Sequence, residues 1–433
     1  MVDYLVSSIA ILTASFALFA LGLNLQWGFT GLVNFGHVAF MTVGAYTTVL
    51  LSRAGVPLIL AVGAGMILAA ILGFIIGLST LRLREDYLAI VTIGVSEVVR
   101  LIALNEEDIT NGTKGVYNYP LPLESFDPNL WIRYGMALVL LGIAGFSTWL
   151  LWRWMVDQAQ NTLETQPVRS RLRISSGFGS WLIMVGSTTF FFWLGVTVNL
   201  VFLLLSLVTI SGGSACVFSQ FRDPQRAFQR STWGQFVTRA SVTALVGLVG
   251  MVILAGVVSL IFNYSYKVGL MWLLVITVAF VFWRLEELVH SPWGRVLKAV
   301  REDEAVVKAL GKDVFRYKMQ SFMLGGAIAG LAGAFFAWNL TYINPDNFIP
   351  LVTFNAWIMV VLGGSGSNVG TLLGATIFWA YDSLTRFLLP ALSLNSDQAG
   401  AFRVMVIGLL LIVLMIWRPQ GILGKKEELT LGR

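Results

Sequence analysis

The feature that most constrains this sequence is a series of long runs without a single Asp, Glu, Lys or Arg. These runs cover residues 4–52, 54–81, 174–221, 240–266, 319–345 and 347–381. Because about 20 consecutive apolar residues cross the hydrocarbon core of a bilayer, each run can hold at least one transmembrane helix. Hydrophobic residues make up 57% of the chain and charged residues only 12%, against about 45–50% and about 25% in soluble globular domains. The sequence therefore predicts an all-α, polytopic transmembrane helical bundle.

Residue counts narrow the chemistry. The chain has one Cys, Cys216, and two His, His37 and His290, which lie far apart in sequence. They supply neither an intramolecular disulfide nor a zinc-binding pattern, so we expect no metal centre and no redox cofactor. The net charge of +6 lies mostly between the apolar runs, which indicates membrane topology and not nucleic-acid binding. The start of the chain lacks the basic region of a secretory signal, so the first run is expected to remain as a span.

The distribution of Lys and Arg predicts the orientation, because cytoplasmic loops are enriched in these residues. The basic segments are 153–173, 222–239 and 284–318, and the last of them carries eight basic residues. The segments with few or no basic residues are 105–131, 342–348 and 391–401. We expect the first group to face the cytoplasm and the second group to face outside.

The same rule predicts the number of spans. The run 174–221 is flanked by basic segments, so it should cross twice, turning near Gly195–Asn199. About thirteen segments result, near 4–25, 28–51, 56–81, 86–105, 134–152, 178–196, 199–217, 240–262, 266–288, 317–341, 349–364, 369–390 and 402–417. Segment 28–51 contains four Gly together with Asn34 and His37. It is therefore a clean span or a broken or re-entrant helix, and a re-entrant segment would reverse the side of the N-terminus.

Small residues allow helices to approach closely inside a membrane. Pairs with the spacing Gly-x-x-x-Gly occur at Gly73 and Gly77, Gly326 and Gly330, and Gly370 and Gly374. The chain has 43 Gly, so chance alone produces this spacing often. The pairs predict a packed bundle, and each is weak evidence for one particular helix contact.

A charged segment between two apolar runs has the pattern of an amphipathic helix over 293–311. It begins after Ser291 and Pro292 and reaches Gly311. The apolar positions at helical spacing are Val296, Val300, Val307 and Leu310. The helix either rests on anionic lipid or binds a protein. Anionic lipid would repel the acidic run 302–304, so the mixed charge favours a protein partner.

Short motifs then follow one order along the chain. Those of the charged segment are Ser-Pro-Trp-Gly-Arg (291–295), Arg-Glu-Asp-Glu-Ala (301–305), Ala-Leu-Gly (309–311) and Tyr-Lys (317–318). Those before it are Gly-Leu-Asn (22–24), Gly-Phe-Thr-Gly (28–31), Phe-Gly-His (35–37), Gly-Ala-Tyr (44–46), Leu-Arg-Leu-Arg (81–84), Asp-Tyr-Leu-Ala-Ile (86–90), Glu97 with Arg100, and Thr-Asn-Gly (110–112). Those after it are Val-Leu-Gly-Gly-Ser-Gly-Ser (361–367), Gly370, Gly374-Ala375 and Arg-Pro-Gln-Gly-Ile (418–422). Over 20–115 and 265–423 the chain closely resembles the permease subunits of branched-chain amino-acid ABC importers, and in particular the longer of the two permeases that pair.

The resemblance implies a permease of the ABC-importer type in a bacterial plasma membrane. Two permease subunits would form the path, two cytoplasmic ATPases would bind ATP and Mg, and an extracytoplasmic protein would deliver the amino acid. This chain would hydrolyse nothing, and its stretch 363–370 lacks the Gly-Lys-Ser/Thr of a phosphate loop. The 293–311 helix would be the coupling helix, which transmits ATPase closure to the bundle as rigid-body movement. The residues expected to couple to the ATPase are Arg295, Lys298, Arg301, Glu302, Asp303, Glu304, Ala305 and Gly311.

The chain departs from the family pattern between about 133 and 262. Family members usually pass from the outer loop to one span and then to the coupling helix, whereas four extra spans are predicted in this chain. An even number keeps the coupling helix cytoplasmic. The predicted parts are an N-terminal core (1–132), an insertion (133–262), a C-terminal core (263–423) and a cytoplasmic tail (424–433). The insertion is either lipid-facing padding or a regulatory element.

Polar residues inside the apolar runs are candidates for function. Glu97 and Arg100 share a helix face and are expected to act as a structural clamp. Asp382 and Arg386 form a second pair that snorkels toward the outer surface. The candidates for the translocation path are Asn24, Thr30, Asn34, His37 and Thr47, because broken helices expose backbone groups that a zwitterion can bind. As an alternative, Asn34 and His37 bond a neighbouring helix. The glycines expected to be structural are Gly363, Gly364, Gly366, Gly370 and Gly374.

Other functions remain open on the sequence alone. Within the family, the cargo is an amino acid or another small solute such as urea. From a different class, an ion-coupled secondary transporter would work without ATPase partners and would need stronger intramembrane acidic sites. A membrane-embedded enzyme is disfavoured, because no cluster of His, Cys and carboxylates is evident in the sequence.

Overall fold

A computed structural model of the chain describes residues 2–81, 85–160 and 264–388, with further positions within 256–262 and 398–422. The chain divides into two compact units, Met1–Ser7 with Asp127–Trp272 and Ser8–Phe126 with Leu273–Arg433. In the part that the structure describes, six helices are long and apolar enough to cross a membrane. The predicted all-α polytopic bundle is confirmed. The predicted spans 178–196 and 199–217 lie outside the described residues, as do most of 240–262 and 402–417, and the division into core and insertion stays a prediction.

The N-terminal half of the larger unit consists of helices joined by short turns. The elements are α1 (Val2–Leu23), whose residues before Ser8 belong to the smaller unit, a π-helix that continues it (Asn24–Phe29), α2 (Val38–Arg53), α3 (Leu58–Thr80), α4 (Glu85–Asn105), α5 (Glu107–Thr110), a 3₁₀ turn (Gly112–Lys114) and strand β1 (Val116–Tyr117). Helix α3 starts directly after Pro57, whose extended backbone cannot continue a helix from the preceding turn. The observed α3 and α4 agree with the predicted spans 56–81 and 86–105.

The remaining elements begin with α6 (Leu130–Gln160) in the smaller unit. They continue with α7 (Tyr266–His290), α8 (Pro292–Glu302), α9 (Glu304–Ala309), α10 (Val314–Leu340), strand β2 (Tyr342–Ile343), a 3₁₀ turn (Pro345–Phe348), α11 (Leu351–Gly363) and α12 (Asn368–Leu388). Strands β1 and β2 pair in antiparallel register, with Val116 opposite Ile343. This pairing ties the acidic loop after α4 to the end of α10.

In the smaller unit, the start of α6 is fixed by polar contacts. The Arg133 guanidinium donates to the Pro128 carbonyl at 2.9 Å and lies 5.5 Å from the centre of the Tyr264 ring. The Trp272 indole donates to the Met136 carbonyl at 3.1 Å. Helix α6 is 31 residues long, so it extends beyond the predicted span 134–152 at both ends.

Glycines bring α2, α3 and α10 into backbone contact in the core of the larger unit. A side-chain carbon at Gly44 would overlap the backbone of Gly330, and one at Gly330 would lie 2.8 Å from the Ala69 methyl group. A side-chain carbon at Gly73 would lie 3.3 Å from the Met323 Cα of α10. Close backbone approach of this kind provides van der Waals packing where lipid supplies no hydrophobic driving force. The glycines of the 73/77 and 326/330 pairs thus lie at the contact between α3 and α10.

A second glycine contact shapes the hairpin of α11 and α12. Side chains at Gly363 and Gly374 would overlap the backbone of the opposite helix, at Gly370 and Met359 respectively. In the turn between them, Gly364 and Gly366 have φ angles of 119° and 76°, which residues with a side chain rarely adopt. The hairpin therefore depends on glycine both for its turn and for its close packing.

Segment 28–51 is a broken helix. The chain leaves the π-helix at Phe29, is non-helical over 31–36 and re-enters a helix at Val38. Its start lies beside α8, where Gly28 accepts a hydrogen bond from Arg301, and Tyr46 packs on Phe348, with ring centres 5.8 Å apart. Because Phe348 follows the far end of α10, the segment runs from one end of the bundle toward the other.

Candidate coupling site

The charged segment after α7 starts with a sharp turn that its first residues require. The Ser291 hydroxyl caps α8 by accepting from the Gly294 amide, and Pro292 occupies a position where no amide hydrogen is needed. A side chain at Gly294 would overlap the carbonyl of Val289. The Trp293 indole donates to the Gln320 side chain of α10 at 2.8 Å. Ser-Pro-Trp-Gly is therefore the local sequence that folds α8 back against the bundle.

The predicted single helix 293–311 is wrong, because the segment forms two helices that meet at Asp303. The Asp303 backbone is extended, with φ −153° and ψ 103°. Its carboxylate accepts from the amides of Ala305, at 2.8 Å, and Val306, at 3.1 Å. Asp303 is thus the N-cap of α9, a role for which Asp is among the preferred residues.

The burial of apolar residues in this segment differs from the prediction at Leu297 and at Leu310. Leu297, absent from the predicted apolar face, is 0% exposed and packs in a cluster with Leu25, Phe29, Leu285, Val289 and Ile328. Val300 and Val307 are buried together with Val314. Leu310 was predicted to lie on the apolar face, yet it is 74% exposed. The helical spacing on which that prediction depended does not continue across the extended residue.

An ion pair between Glu304 and Lys318 attaches α9 to α10. The Glu304 carboxylate lies 2.6 Å from the Lys318 ammonium and 2.8 Å from that of Lys308. Partial burial opposes ionisation of Glu304, but the hydrogen bonds from the two lysines outweigh it and hold the pKa of this carboxyl below its usual value. Glu304 is therefore charged at neutral pH and fixes the position of α9.

Arg301 connects α8 to the π-helix. Its guanidinium donates to the Gly28 carbonyl, and its side chain passes Gly31, where an added carbon would lie 3.3 Å from the Arg301 Cγ. Gly31 has a φ of 80°, so glycine suits both its backbone and its close contact. One turn earlier on α8, the Lys298 ammonium lies 5.6 Å from the centre of the Phe29 ring, within the range of a cation–π interaction.

A cavity of about 340 Å³ opens between α8, α9 and the ends of the membrane helices. Its charged lining residues are Arg301, Glu302, Asp303, Glu304 and Lys318, and Thr30 and Gly31 lie on its other side. The predicted coupling residues 301–305 are therefore brought together around one polar cavity. Arg295, Lys298 and Gly311 are not among the residues that line it.

Four of the five path candidates are buried and hydrogen-bonded to protein. Asn24 accepts from the Gly366 amide at 3.0 Å and donates to Asn368 at 3.3 Å. The Thr30 hydroxyl lies 2.6 Å from that of Ser321. Asn34 donates to Gln26 at 2.8 Å, and His37 Nε2 lies 3.2 Å from the Phe19 carbonyl oxygen. Thr47 is half-buried on α2.

These contacts describe one conformation, and the assignment of Asn24, Thr30, Asn34, His37 and Thr47 to a path stays a prediction. Sequence reasoning missed their partners Gln26, Ser321 and Asn368, and it missed Glu286, the next residue in the network. Asn368 donates to Glu286 of α7 at 2.9 Å. Gln26 is a polar residue inside an apolar run, and this position alone could have indicated a role for it. Its partner, the Phe322 carbonyl of α10, is distant in sequence and could not be inferred.

On α4, Glu97 and Arg100 form an ion pair. Arg100 also lies 3.2 Å from the Asp346 carboxylate, in the turn after β2. Asp382 and Arg386 pair at 2.8 Å on α12. Among the described residues, no group of three or more His, Cys, Asp or Glu could hold a metal ion. The structural role predicted for Glu97 and Arg100 stays a prediction.

A bundle of glycine-packed apolar helices with a capped, charged two-helix segment folded against it has the architecture of a multi-pass membrane protein. Over residues 5–275 and 121–415 the sequence matches the family described as the permease component of the branched-chain amino acid transport system. The chain belongs to this family, as the motifs around the charged segment predicted.

Relatives support the same family. The high-affinity branched-chain amino acid transport system permease protein LivM of Salmonella typhimurium is 27% identical over 422 residues, covering 96% of this chain and 69% of the relative. The probable branched-chain amino acid transport permease protein LivM of Methanocaldococcus jannaschii is 29% identical over 167 residues, covering 37% of this chain and 47% of the relative. The permease protein LivH of the same named system in Escherichia coli is 29% identical over 139 residues, covering 32% and 42%. No solved structure matches the chain.

Proposed function

We propose that this chain is one permease subunit of an ATP-driven importer for branched-chain or other neutral amino acids in a bacterial plasma membrane. It works by alternating access with a second permease subunit. Two cytoplasmic ATPases bind ATP and Mg and supply the energy, and an extracytoplasmic binding protein delivers the amino acid. Two observations support the pairing of two permeases and the cargo: this chain is similar to both LivM and LivH, and both are named for branched-chain amino acid transport.

The observation that carries the proposal is the surface of α8 and α9. Val306 is 54% and Leu310 74% exposed, and the charged side chains of Glu302 and Lys308 are exposed around them. The other side of the segment is held against the bundle by Leu297, Val300 and the Glu304–Lys318 pair. A rigidly attached segment with an apolar centre and a rim of both charge signs suits a protein partner. The ATPase is that partner.

Reconstitution tests the proposal directly. The chain, the second permease and the ATPases are placed in vesicles, and uptake of radiolabelled leucine is measured with the binding protein outside. We expect uptake only with ATP and all partners present. Uptake by the chain without ATPases, driven by an ion gradient, would overturn the proposal. Uptake of urea in place of leucine would overturn the assignment of the cargo.

A variant tests the coupling surface. Replacing Glu302 and Asp303 together with Lys reverses the charge of the segment and should uncouple ATP hydrolysis from uptake while leaving membrane insertion intact. Unchanged coupled transport would contradict docking at this surface. Lys substitution at Glu124, in the outer acidic loop, is the control for the added positive charge, and Asp303→Ala is the control for the lost cap of α9.

A further inference from the structure

The π-helix at the end of α1 lies between two sets of contacts that come from different parts of the chain. Its six residues, Asn24–Phe29, form a wider turn than an α-helix, a rare geometry that is often found at functional sites. The π-helix contacts α8 through Arg301 and the turn between α11 and α12 through Asn24. Gln26 and the Leu25 carbonyl also bond it to α10.

On the α8 side, three kinds of contact converge. Arg301 donates to the Gly28 carbonyl, Lys298 lies over the Phe29 ring, and Leu297 packs against Leu25 and Phe29. A displacement of α8 therefore acts on the π-helix through polar and apolar contacts together.

Toward the turn between α11 and α12, the Asn24 side-chain amide makes two hydrogen bonds. It accepts from the Gly366 amide and donates to Asn368, and Asn368 donates to Glu286 of α7. A side chain at Gly28 would overlap the Asn24 oxygen and would lie 2.5 Å from the Gly366 nitrogen. Gly28 is thus the point at which both attachments meet, since its carbonyl holds Arg301 and its Cα faces the turn.

We propose that this π-helix is the movable joint through which displacement of α8 reaches the 364–368 turn and α7, with Arg301 linking it to α8 and Asn24 linking it to the turn. A π-helix bonds residues five apart, whereas an α-helix bonds residues four apart, so a change from the first pattern to the second would rotate Asn24 relative to Gly28. The inference rests on the proposed function, because it assigns to these residues the transmission of ATPase movement. Arg301 and Asn24 are positioning residues, and neither is required to touch the transported solute.

The test uses the complete assembly of both permeases, ATPases and binding protein in vesicles. The variants are Asn24→Ala, Arg301→Gln and the double variant. The measured quantities are the number of solute molecules imported per ATP hydrolysed and the affinity of the ATPases for the permeases. We expect each single variant to lower the import per ATP by about tenfold, a typical magnitude for coupling between sites. For Asn24→Ala, ATPase affinity should stay at the wild-type value, because the Asn24 side chain bonds Gly366 and Asn368 and not the surface of α8.

The double variant should be no worse than the more severe single variant, since both changes break one linkage. The matched controls are Asn105→Ala, whose amide bonds its own helix at Leu101, and Arg316→Gln, which is exposed and pairs with Asp313. Both controls should couple normally. If Asn24→Ala fails to assemble, Asn368→Ala tests the same linkage from the turn.

The outcomes separate this inference from the proposed function. Normal import per ATP in Asn24→Ala, with a working wild-type assembly, overturns the joint and leaves the importer intact. Effects of Asn24→Ala and Arg301→Gln that multiply in the double variant also overturn it. An inactive wild-type assembly containing every partner overturns the importer itself and the joint with it.

Discussion

Substitutions at Asp303 distinguish two explanations of how the coupling segment supports ATPase binding, helix capping and surface charge. The carboxylate caps α9 through bonds of 2.8 and 3.1 Å to successive amides, and it also adds negative charge to the proposed docking surface. Asp303→Asn keeps an oxygen that can accept both amides and removes the charge. Asp303→Ala removes both the cap and the charge.

The structure sets the expected magnitude. Helix α9 has six residues, fewer than the roughly 12–15 that an isolated helix needs in water, so it depends on its cap and on the burial of Val307. Loss of an N-cap costs about 1 kcal/mol, which is a factor of about five in an equilibrium constant. We therefore expect Asp303→Ala to weaken ATPase binding by about fivefold. Asp303→Asn should remain close to wild type.

The assay is equilibrium binding of the ATPases to permeases held in nanodiscs, with labelled ATPase titrated against each variant. Glu302→Gln is the matched control for charge, because Glu302 is exposed and its neighbour Asp303 supplies the cap. If Asp303→Asn binds as weakly as Asp303→Ala, the charge and not the cap carries the effect, and the reasoning is refuted. Wild-type binding by Asp303→Ala would equally refute it.

Two further predictions concern stability. Gly44→Ala places a methyl group against the backbone of Gly330 and should cost about 1–3 kcal/mol of stability, measured as a lower melting temperature in detergent. Gly63→Ala is the control, because its methyl group meets no atom within 4 Å and should leave the melting temperature unchanged. Equal melting temperatures for the two variants would contradict the close contact of α2 and α10. Because the pKa of Glu304 is lowered by Lys308 and Lys318, its contribution is present above the unfolded-state pKa of about 4.3 and is lost as pH falls through the folded value. The difference in melting temperature between wild type and Lys318→Met should therefore be constant at neutral pH and shrink on acidification, and a difference independent of pH would argue against the ion pair.

Some features of this protein follow from local sequence alone. Bilayer thickness relates the length of an uncharged run directly to a helix, so the predicted spans 56–81 and 86–105 agree with α3 and α4 within a few residues. Ser291 and Pro292 mark the start of α8 because capping and proline geometry act over one turn. Asp303 also carries the signal of an N-cap, but the apolar spacing of Val300 and Val307 resembled one continuous helix and concealed it.

Other features depend on residues that meet only in the folded chain. Asn24 and Asn368 are 344 positions apart, and no periodicity in either segment indicates that they bond. The burial of Leu297 follows from where α1, α7 and α10 place their own apolar side chains, and the side chains of Asn24 and Gln26 in the π-helix bond partners in distant elements. The membrane class, the family and the charged segment could be predicted without the fold, because hydropathy, charge and motif order are read directly along the chain. The broken segment after α1 and the attachments of Arg301 were decided by the tertiary structure, since hydrogen bonds between distant segments exist only once the helices have packed.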